Sequence, residues 1–400
     1  MEPLCYAPFN SILIDVDKSV KPCCIWHGKP YGNLNDQDIN TILNSDYVKQ
    51  IKTDMINNVW NEGCLHCKFR EEETGTSPRL NVYRNEDFKN IKVGYADKKI
   101  KYLEYNSTNT CNLACIMCSP SWSSNLYEFN KHYNIKDNSK FVNNNIPKWG
   151  IHPINQHIAT NFVESLDLSE LKTVWFKGGE PFLNKEVITI LSHLKKINQL
   201  DKVKVWITSN GTIVNENIFE LLNECEHVNI TLSIDGTDRI NRYIRYGFGN
   251  PKINSIENII KNIKKLIQLP NIKVCTSPTV QVLNIFDLFN YYDFWITNIQ
   301  SLNFDKIGKP TFNHFAISPK VLHLRSLKDD TRNFLIDYYS KIEIPNNKKL
   351  FNSVINVLKK PYYGDENFKN LVQFIKERDK TREEKLLDIE PRFGILNKWA

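Results

Sequence analysis

Between residues 101 and 310 the sequence alternates strand-like and helix-like segments, and this pattern constrains the fold more than any other feature. The strand-like runs are YLEYNS (102–107), TVWFKG (173–178), VKVWITS (203–209), VNITLSID (228–235), VCTSPTVQV (274–282) and SLNFDKI (301–307). Helical segments fall between them, near 121–134, 160–170, 186–197, 215–225, 253–268 and 284–294. In INSIENIIKNIKKLIQL the apolar residues recur every three to four positions, as on one face of a helix. Strands that alternate with helices form a parallel sheet, because each helix carries the chain back to start the next strand in the same direction. Six units are too few for a closed eightfold barrel. The expected fold is therefore α/β, a partial (β/α)6 TIM-type barrel, with its chemistry at the carboxyl ends of the strands.

The flanks differ from this core. Residues 1–95 hold five cysteines and one long helical candidate over 39–58, and read as a small cysteine-rich domain. The polar joint VGYADKKIK (93–101) leads into the barrel, expected over 96–312. Residues 313–400 read as a helical C-terminal extension. At 400 residues the chain is long enough for two or three cores.

Composition narrows the class. Hydrophobic residues make up 41% and charged residues 24%, as in ordinary globular proteins. The 52 basic and 45 acidic residues give a net charge of +7, too mild and scattered to call for nucleic acid. No run of 18 apolar residues suggests a membrane span. The opening MEPLCYAPFN lacks a basic start followed by an apolar run, so a cytoplasmic location is expected. In that compartment clustered cysteines read as metal ligands rather than disulfides. Eight of the ten cysteines lie before residue 120.

Three of them, Cys111, Cys115 and Cys118, stand in CNLACIMC, directly after the first barrel strand. Structural zinc takes a closed set of four ligands, and a fourth could come from elsewhere in the chain. A four-iron cluster on three cysteines leaves one iron open for a substrate or cofactor. Downstream, GGEP (178–181), TSNGT (208–212) and SIDGT (233–237) each end a strand, and Arg245 follows in YIRYG. Two adjacent glycines let a ligand approach the backbone. The Asn210–Gly211 and Asp235–Gly236 pairs are also compatible with plain turns.

This ordered set resembles the radical S-adenosylmethionine (radical SAM) superfamily over about residues 100–310. The resemblance implies that Cys111, Cys115 and Cys118 hold a [4Fe–4S] cluster whose free iron binds SAM. Reductive cleavage of SAM would then give a 5′-deoxyadenosyl radical that removes hydrogen from a substrate. It also implies that Gly178, Gly179 and Glu180 bind the methionine ammonium. Ser209 or Asn210, and Ser233 with Asp235, would reach the ribose or methionine. Arg245 would pair with the SAM carboxylate. Met117 stands where many members have an aromatic residue, and the TVQVLN strand lacks the glycine-rich pattern some members place near adenine.

The front of the chain, CYAPFNSILIDVDKSVKPCC followed by YGNL, a helix and CLHC, resembles the SPASM and twitch auxiliary-cluster modules. By that resemblance Cys5, Cys23, Cys64 and Cys67 hold an auxiliary [4Fe–4S] cluster, with Cys24 the alternative to Cys23. A four-cysteine zinc module is the alternative reading of the same residues. His66, between two of these cysteines, reads as exposed rather than coordinating. The polar stretch FREEETGTSPRLNVYR after Cys67 reads as lining the approach to the barrel or as a surface loop.

The implied activity is oxidative modification of a peptide or protein side chain, with electrons from a donor such as flavodoxin or ferredoxin. Dehydrogenation or rearrangement of a carbohydrate- or nucleotide-type small molecule is the second reading, and a non-catalytic metal-binding scaffold the third. Cys275, Gln281 and Asn284 are weaker candidates for substrate contact, and Cys225 reads as core.

Overall fold

The computed structural model describes residues 3–74, 77–81, 99–106, 108–135, 160–344, 349–382 and 384–394. Its strands are β1 (Ser11–Ile14), β2 (Ser19–Lys21), β3 (Gly32–Asn33), β4 (Tyr102–Asn106), β5 (Ala114–Cys115), β6 (Thr173–Lys177), β7 (Lys204–Ser209), β8 (His227–Leu232), β9 (Arg245–Tyr246), β10 (Ile272–Thr276), β11 (Thr279–Val280) and β12 (His314–Phe315). Two compact units divide the chain. One holds Met1–Thr110, Ile154–Thr208 and Asn215–Asn229, and the other Cys111–Pro153, Ser209–Val214 and Ile230–Ala400.

In the first unit the strands lie in the order β8-β7-β6-β4-β1-β2-β3. Strands β4, β6 and β7 are parallel and in register, with Glu104 beside Trp175 and Trp175 beside Trp206. Side chains alternate across such a sheet. Leu103, Val174 and Val205 therefore share one face, fully buried, while Glu104, Trp175 and Trp206 share the other. The apolar face of the helix Lys185–Lys196 (Val187, Ile190, Leu191, Leu194) is buried as well. Each such aliphatic side chain contributes about 1.5–3 kcal/mol by leaving water. All five residues of β4 are buried, as expected of a central parallel strand covered on both faces.

The N-terminal segment does more than form a separate cysteine-rich module. Its strand β1 pairs in parallel with β4, from Ser11 beside Tyr102 to Ile14 beside Tyr105. Strands β2 and β3 then continue the sheet antiparallel. The helix expected over 39–58 is two helices, Ile39–Leu43 and Asp46–Ile56. Ser45 breaks it by capping the second helix, its hydroxyl accepting from Val48 N–H at 3.4 Å.

In the second unit β10 lies beside the carboxyl-terminal half of β8, where Ser277 N–H donates to Leu232 O at 3.3 Å. The helix Ile256–Leu266 buries Ile259, Ile263 and Leu266, as its periodicity requires. The sixth expected strand, 301–307, is absent as a strand. Asn303 Oδ1 accepts from Asp305 and Lys306 N–H at 3.1 and 3.0 Å and bends the chain into a turn. Only a parallel bridge between Val274 and Ile307 holds the sixth position. The architecture is that of a partial barrel of mainly parallel strands with a helical C-terminal region. That region contains the helices Asp329–Lys341, Asn352–Leu358, Asp365–Asp379 and Leu386–Ile389. No helix among the described residues is long and apolar enough to cross a membrane.

Candidate functional site

The three-cysteine loop lies in the second unit. Strand β5 pairs antiparallel with β9, so that Cys115 stands opposite Arg245 and Ala114 opposite Tyr246. Two serines tie the loop to the helix Ser124–His132. Ser123 caps that helix, accepting from Leu126 N–H at 3.0 Å and donating to Leu113 O at 2.6 Å. Ser124 Oγ accepts from Cys111 N–H at 3.2 Å. Ala114, Leu126 and Phe129 form a small buried cluster with Cys118 packed on it. Withdrawal from water pushes the Cys118 thiol up to about 12, and the neighbouring Cys115 adds to the effect. Burial also raises the Cys115 thiol, while Arg245 pulls it back. Thiols so placed resist ionising by themselves, and a bound cationic centre relieves that resistance.

Arg245 and Asp235 face each other. Arg245 Nε lies 2.8 Å from Asp235 Oδ2 and its Nη2 donates to Oδ1 at 3.2 Å. Thr279 N–H also donates to Oδ1, at 2.7 Å. Asp235 is fully buried, its Oδ1 shared by Arg245 and Thr279 N–H. The third guanidinium nitrogen, Nη1, lies 3.9 Å from Cys115 Sγ. Asn210 is likewise engaged. Its Oδ1 accepts from Thr212 N–H and Oγ1–H at 3.0 and 2.7 Å, and its Nδ2 donates to Asn112 at 2.8 Å. Ser209 Oγ accepts from Gly211 N–H at 3.0 Å. These residues shape the turn beside the loop. Half-buried Ser233 is held through its backbone, its N–H donating to Ser209 O at 2.8 Å. Gln281 and Asn284 are buried; Asn284 Nδ2 donates to Asp235 O at 2.8 Å and is structural. Cys275 is half-buried, 3.4 Å from Thr231 Oγ1, and Cys225 is buried as expected.

In the first unit, Gly178 and Gly179 follow β6 with φ of 77° and 45°. A Cβ on Gly179 would lie 2.8 Å from Thr108 O and closer still to Thr110 O, so only glycine fits. Glu180 N–H donates to that same Thr110 O at 2.8 Å. The Glu180 side chain turns inward, fully buried, with Oε1 accepting from Phe182 N–H at 3.1 Å. It caps the turn after the motif. What GGEP leaves half-buried is the backbone of the two glycines.

The N-terminal cysteines also gather in the first unit. Cys5, Cys23 and Cys67 are buried and Cys64 is half-buried. Desolvation raises the Tyr31 hydroxyl well above its ordinary value, and the charges of Cys23, Cys64 and Cys5 add to it. Tyr31 thus marks where three of the four converge. Cys64 is raised by burial and then by both Cys5 and Cys67. Cys24 is exposed and faces elsewhere, toward Lys177 and Glu104. The Trp26 ring packs on Gly63, where a Cβ would meet it at 2.6 Å, and this draws the Cys23 loop to the Cys64 turn. His66 is exposed, its ring 5.1 Å from that of His27. Among the described residues no three His, Cys, Asp or Glu side chains close tightly enough to grip a single metal ion.

Several residues here carried no sequence signal. Arg79 and Ser77 stand in the stretch read as lining the approach to the barrel or as a surface loop. Arg79 is buried, donating to Glu71 Oε1 through Nε at 2.9 Å and to Leu4 O through Nη1 at 2.9 Å, so it ties the peptide before Cys5 to the helix bearing Cys67. Gly75 of that stretch lies outside the described residues. Lys177 pairs with fully buried Glu104 and sits 4.1 Å over the Trp175 ring. The parallel register of β4 and β6 brings these two together from 73 positions apart.

Comparison with known proteins gives two family matches. Residues 105–280 match the Radical SAM superfamily and residues 5–68 match an iron-sulfur cluster-binding domain. A GTP 3',8-cyclase of Clostridium perfringens is 24% identical over 170 residues, 42% of this chain and 46% of that protein. The radical SAM cyclopropyl synthase TigE of Paramaledivibacter caminithermalis is 25% identical over 239 residues, 57% of this chain and 45% of that protein. The chain spans about half the length of these curated relatives. Among solved structures, native anSMEcpe with bound AdoMet aligns over 60% of each chain at 15% identity, with a TM-score of 0.40.

Proposed function

Since the chain belongs to the radical SAM superfamily and carries an iron–sulfur cluster-binding domain ahead of its barrel, we propose that it oxidatively modifies a peptide or protein substrate. Cys111, Cys115 and Cys118 would hold the SAM-binding [4Fe–4S] cluster, and Cys5, Cys23, Cys64 and Cys67 the auxiliary one. Bound there, the cluster and SAM supply the radical that takes hydrogen from the substrate. The convergence of Cys5, Cys23 and Cys64 beside Tyr31, with Cys67 next to Cys64, carries this reading, because an oxidative outcome needs a second electron acceptor.

The chain's own groups divide the remaining work. Arg245, fixed by Asp235, lays a cation against Cys115 and favours the thiolate there. In the first unit the bare backbone of Gly178 and Gly179 leaves room for a ligand to approach closely. Lys177, its ammonium held by Glu104, supplies a donor for a substrate carbonyl on the face that carries Trp175 and Trp206.

A nucleotide-type small molecule is the second reading, favoured by relatives named GTP 3',8-cyclase. Anaerobic reconstitution with dithionite and SAM tests the first step. The native protein should form 5′-deoxyadenosine and the Cys111/Cys115/Cys118→Ala variant should not; a native protein that binds only zinc and no SAM sinks the proposal. Supplying GTP or a peptide pool then separates the substrate classes by which one raises the 5′-deoxyadenosine yield.

A further inference from the structure

The chain after residue 280 lies outside both matched families, yet it sends a cation into the interior of the second unit. Arg382, 9% exposed, follows the helix Asp365–Asp379. Its Nε donates to Tyr243 O at 3.3 Å and its Nη2 to Ala114 O at 3.5 Å. Its guanidinium carbon lies 4.2 Å from the Tyr246 ring centroid and 4.8 Å from that of Phe129. Ala114 precedes Cys115 on β5, and Tyr243 stands two residues before Arg245 on β9. One side chain therefore grips both sides of the pairing that sets Cys115 opposite Arg245. Asp379 reinforces the grip by accepting from Tyr243 Oη at 2.7 Å and from Leu386 N–H at 3.0 Å.

Burying a guanidinium is costly, and two long carbonyl bonds and two ring faces offset only part of that cost. Nη1 has no partner among the described residues. An anion held by the adjacent loop would balance the remainder. We propose that Arg382 is a positioning residue for the Cys111–Cys118 loop: it clamps β5 to β9 and sets a fixed positive charge one peptide from Cys115. The identity of the centre that feels this charge rests on the radical SAM reading; the clamp itself does not.

The test uses the full-length chain with Arg382→Met, which removes charge and donors, and Arg382→Lys, which keeps the charge. Hydrogen exchange is followed on the cluster-free protein across 113–117, where Ile116 N–H donates to Ile244 O at 2.9 Å. The midpoint potential of the three-cysteine cluster is followed by EPR titration after anaerobic reconstitution. With Arg382→Met, exchange should rise about tenfold and the potential should fall, because the reduced and more negative cluster loses a nearby cation. With Arg382→Lys, exchange should rise while the potential stays near native. Native exchange in the Met variant overturns the clamp, and equal potentials in native and Met proteins overturn the charge role. If Arg382→Met does not fold, Arg382→Gln takes its place with the same expectations. A native loop that accepts no cluster defeats the radical SAM reading, while the exchange result still decides the clamp.

Discussion

Arg245 grips Asp235 through two nitrogens, Nε at 2.8 Å and Nη2 at 3.2 Å, and turns its third toward Cys115 Sγ at 3.9 Å. Asp235 is fully buried and the Arg245 side chain is 11% exposed. The geometry of the pair places the arginine as an electrostatic partner of the loop.

Removing one member of such a pair leaves an uncompensated buried charge. Asp235→Ala should destabilise the protein by about 3–5 kcal/mol. Arg245→Lys keeps the charge but loses the planar fork. It should fold with a smaller loss and still form far less 5′-deoxyadenosine. Urea unfolding and product mass spectrometry measure the two effects; native yield in Arg245→Lys would refute the role given to the fork.

At Gly179 the expectation is steric. Any side chain there meets the Thr108 and Thr110 carbonyls and must adopt a φ of 45°. Gly179→Ala should destabilise by at least about 1–3 kcal/mol and abolish SAM-dependent product, because Thr110 directly precedes Cys111. Circular dichroism melts and the 5′-deoxyadenosine assay check this.

The two adjacent cysteines should behave differently on reconstitution. Cys23 interacts with Cys5, whereas Cys24 faces Lys177 and Glu104. Cys23→Ser should lose about four of the roughly eight irons expected for two [4Fe–4S] clusters, and Cys24→Ser should keep them. Equal iron loss in both variants would contradict the assignment.

His323 ties stability to pH. Burial, aided by Arg325 and Lys360, lowers its imidazole from 6.5 to about 4, and its Nδ1 accepts from Arg325 N–H at 3.1 Å. The folded state thus binds this proton less readily than the unfolded chain. The neutral ring's contribution is intact above pH 6.5 and is lost as pH falls toward 4, by about 3 kcal/mol in all. Urea midpoints of native protein and His323→Gln, measured at pH 7.5 and pH 4.5, should converge at the lower pH. A native-to-variant difference independent of pH would exclude the effect.

Much of the fold was legible along the chain because its signals are local. Five of the six strand-like runs form strands, and helices such as Ile256–Leu266 follow their apolar period. The three cysteines of CNLACIMC and the glycines of GGEP were visible because close spacing makes their proximity a matter of chain geometry. The 301–307 run misled because Asn303 bonds its own backbone, a competition that apolar content does not reveal.

What the sequence by itself determined is therefore the alternating architecture, the two cysteine sets and the chemistry their spacing permits. Only the tertiary structure decided which buried groups pair. It joined β1 to β4, matched Asp235 with Arg245, turned the Glu180 carboxylate inward, separated Cys23 from Cys24, and brought Arg382 to a carbonyl 268 residues away. The physical reason is range. Periodicity and turn chemistry act over a few residues, whereas a buried charge or carboxylate takes whichever partner the packed chain delivers, because leaving it without one costs more than almost any local preference can offset.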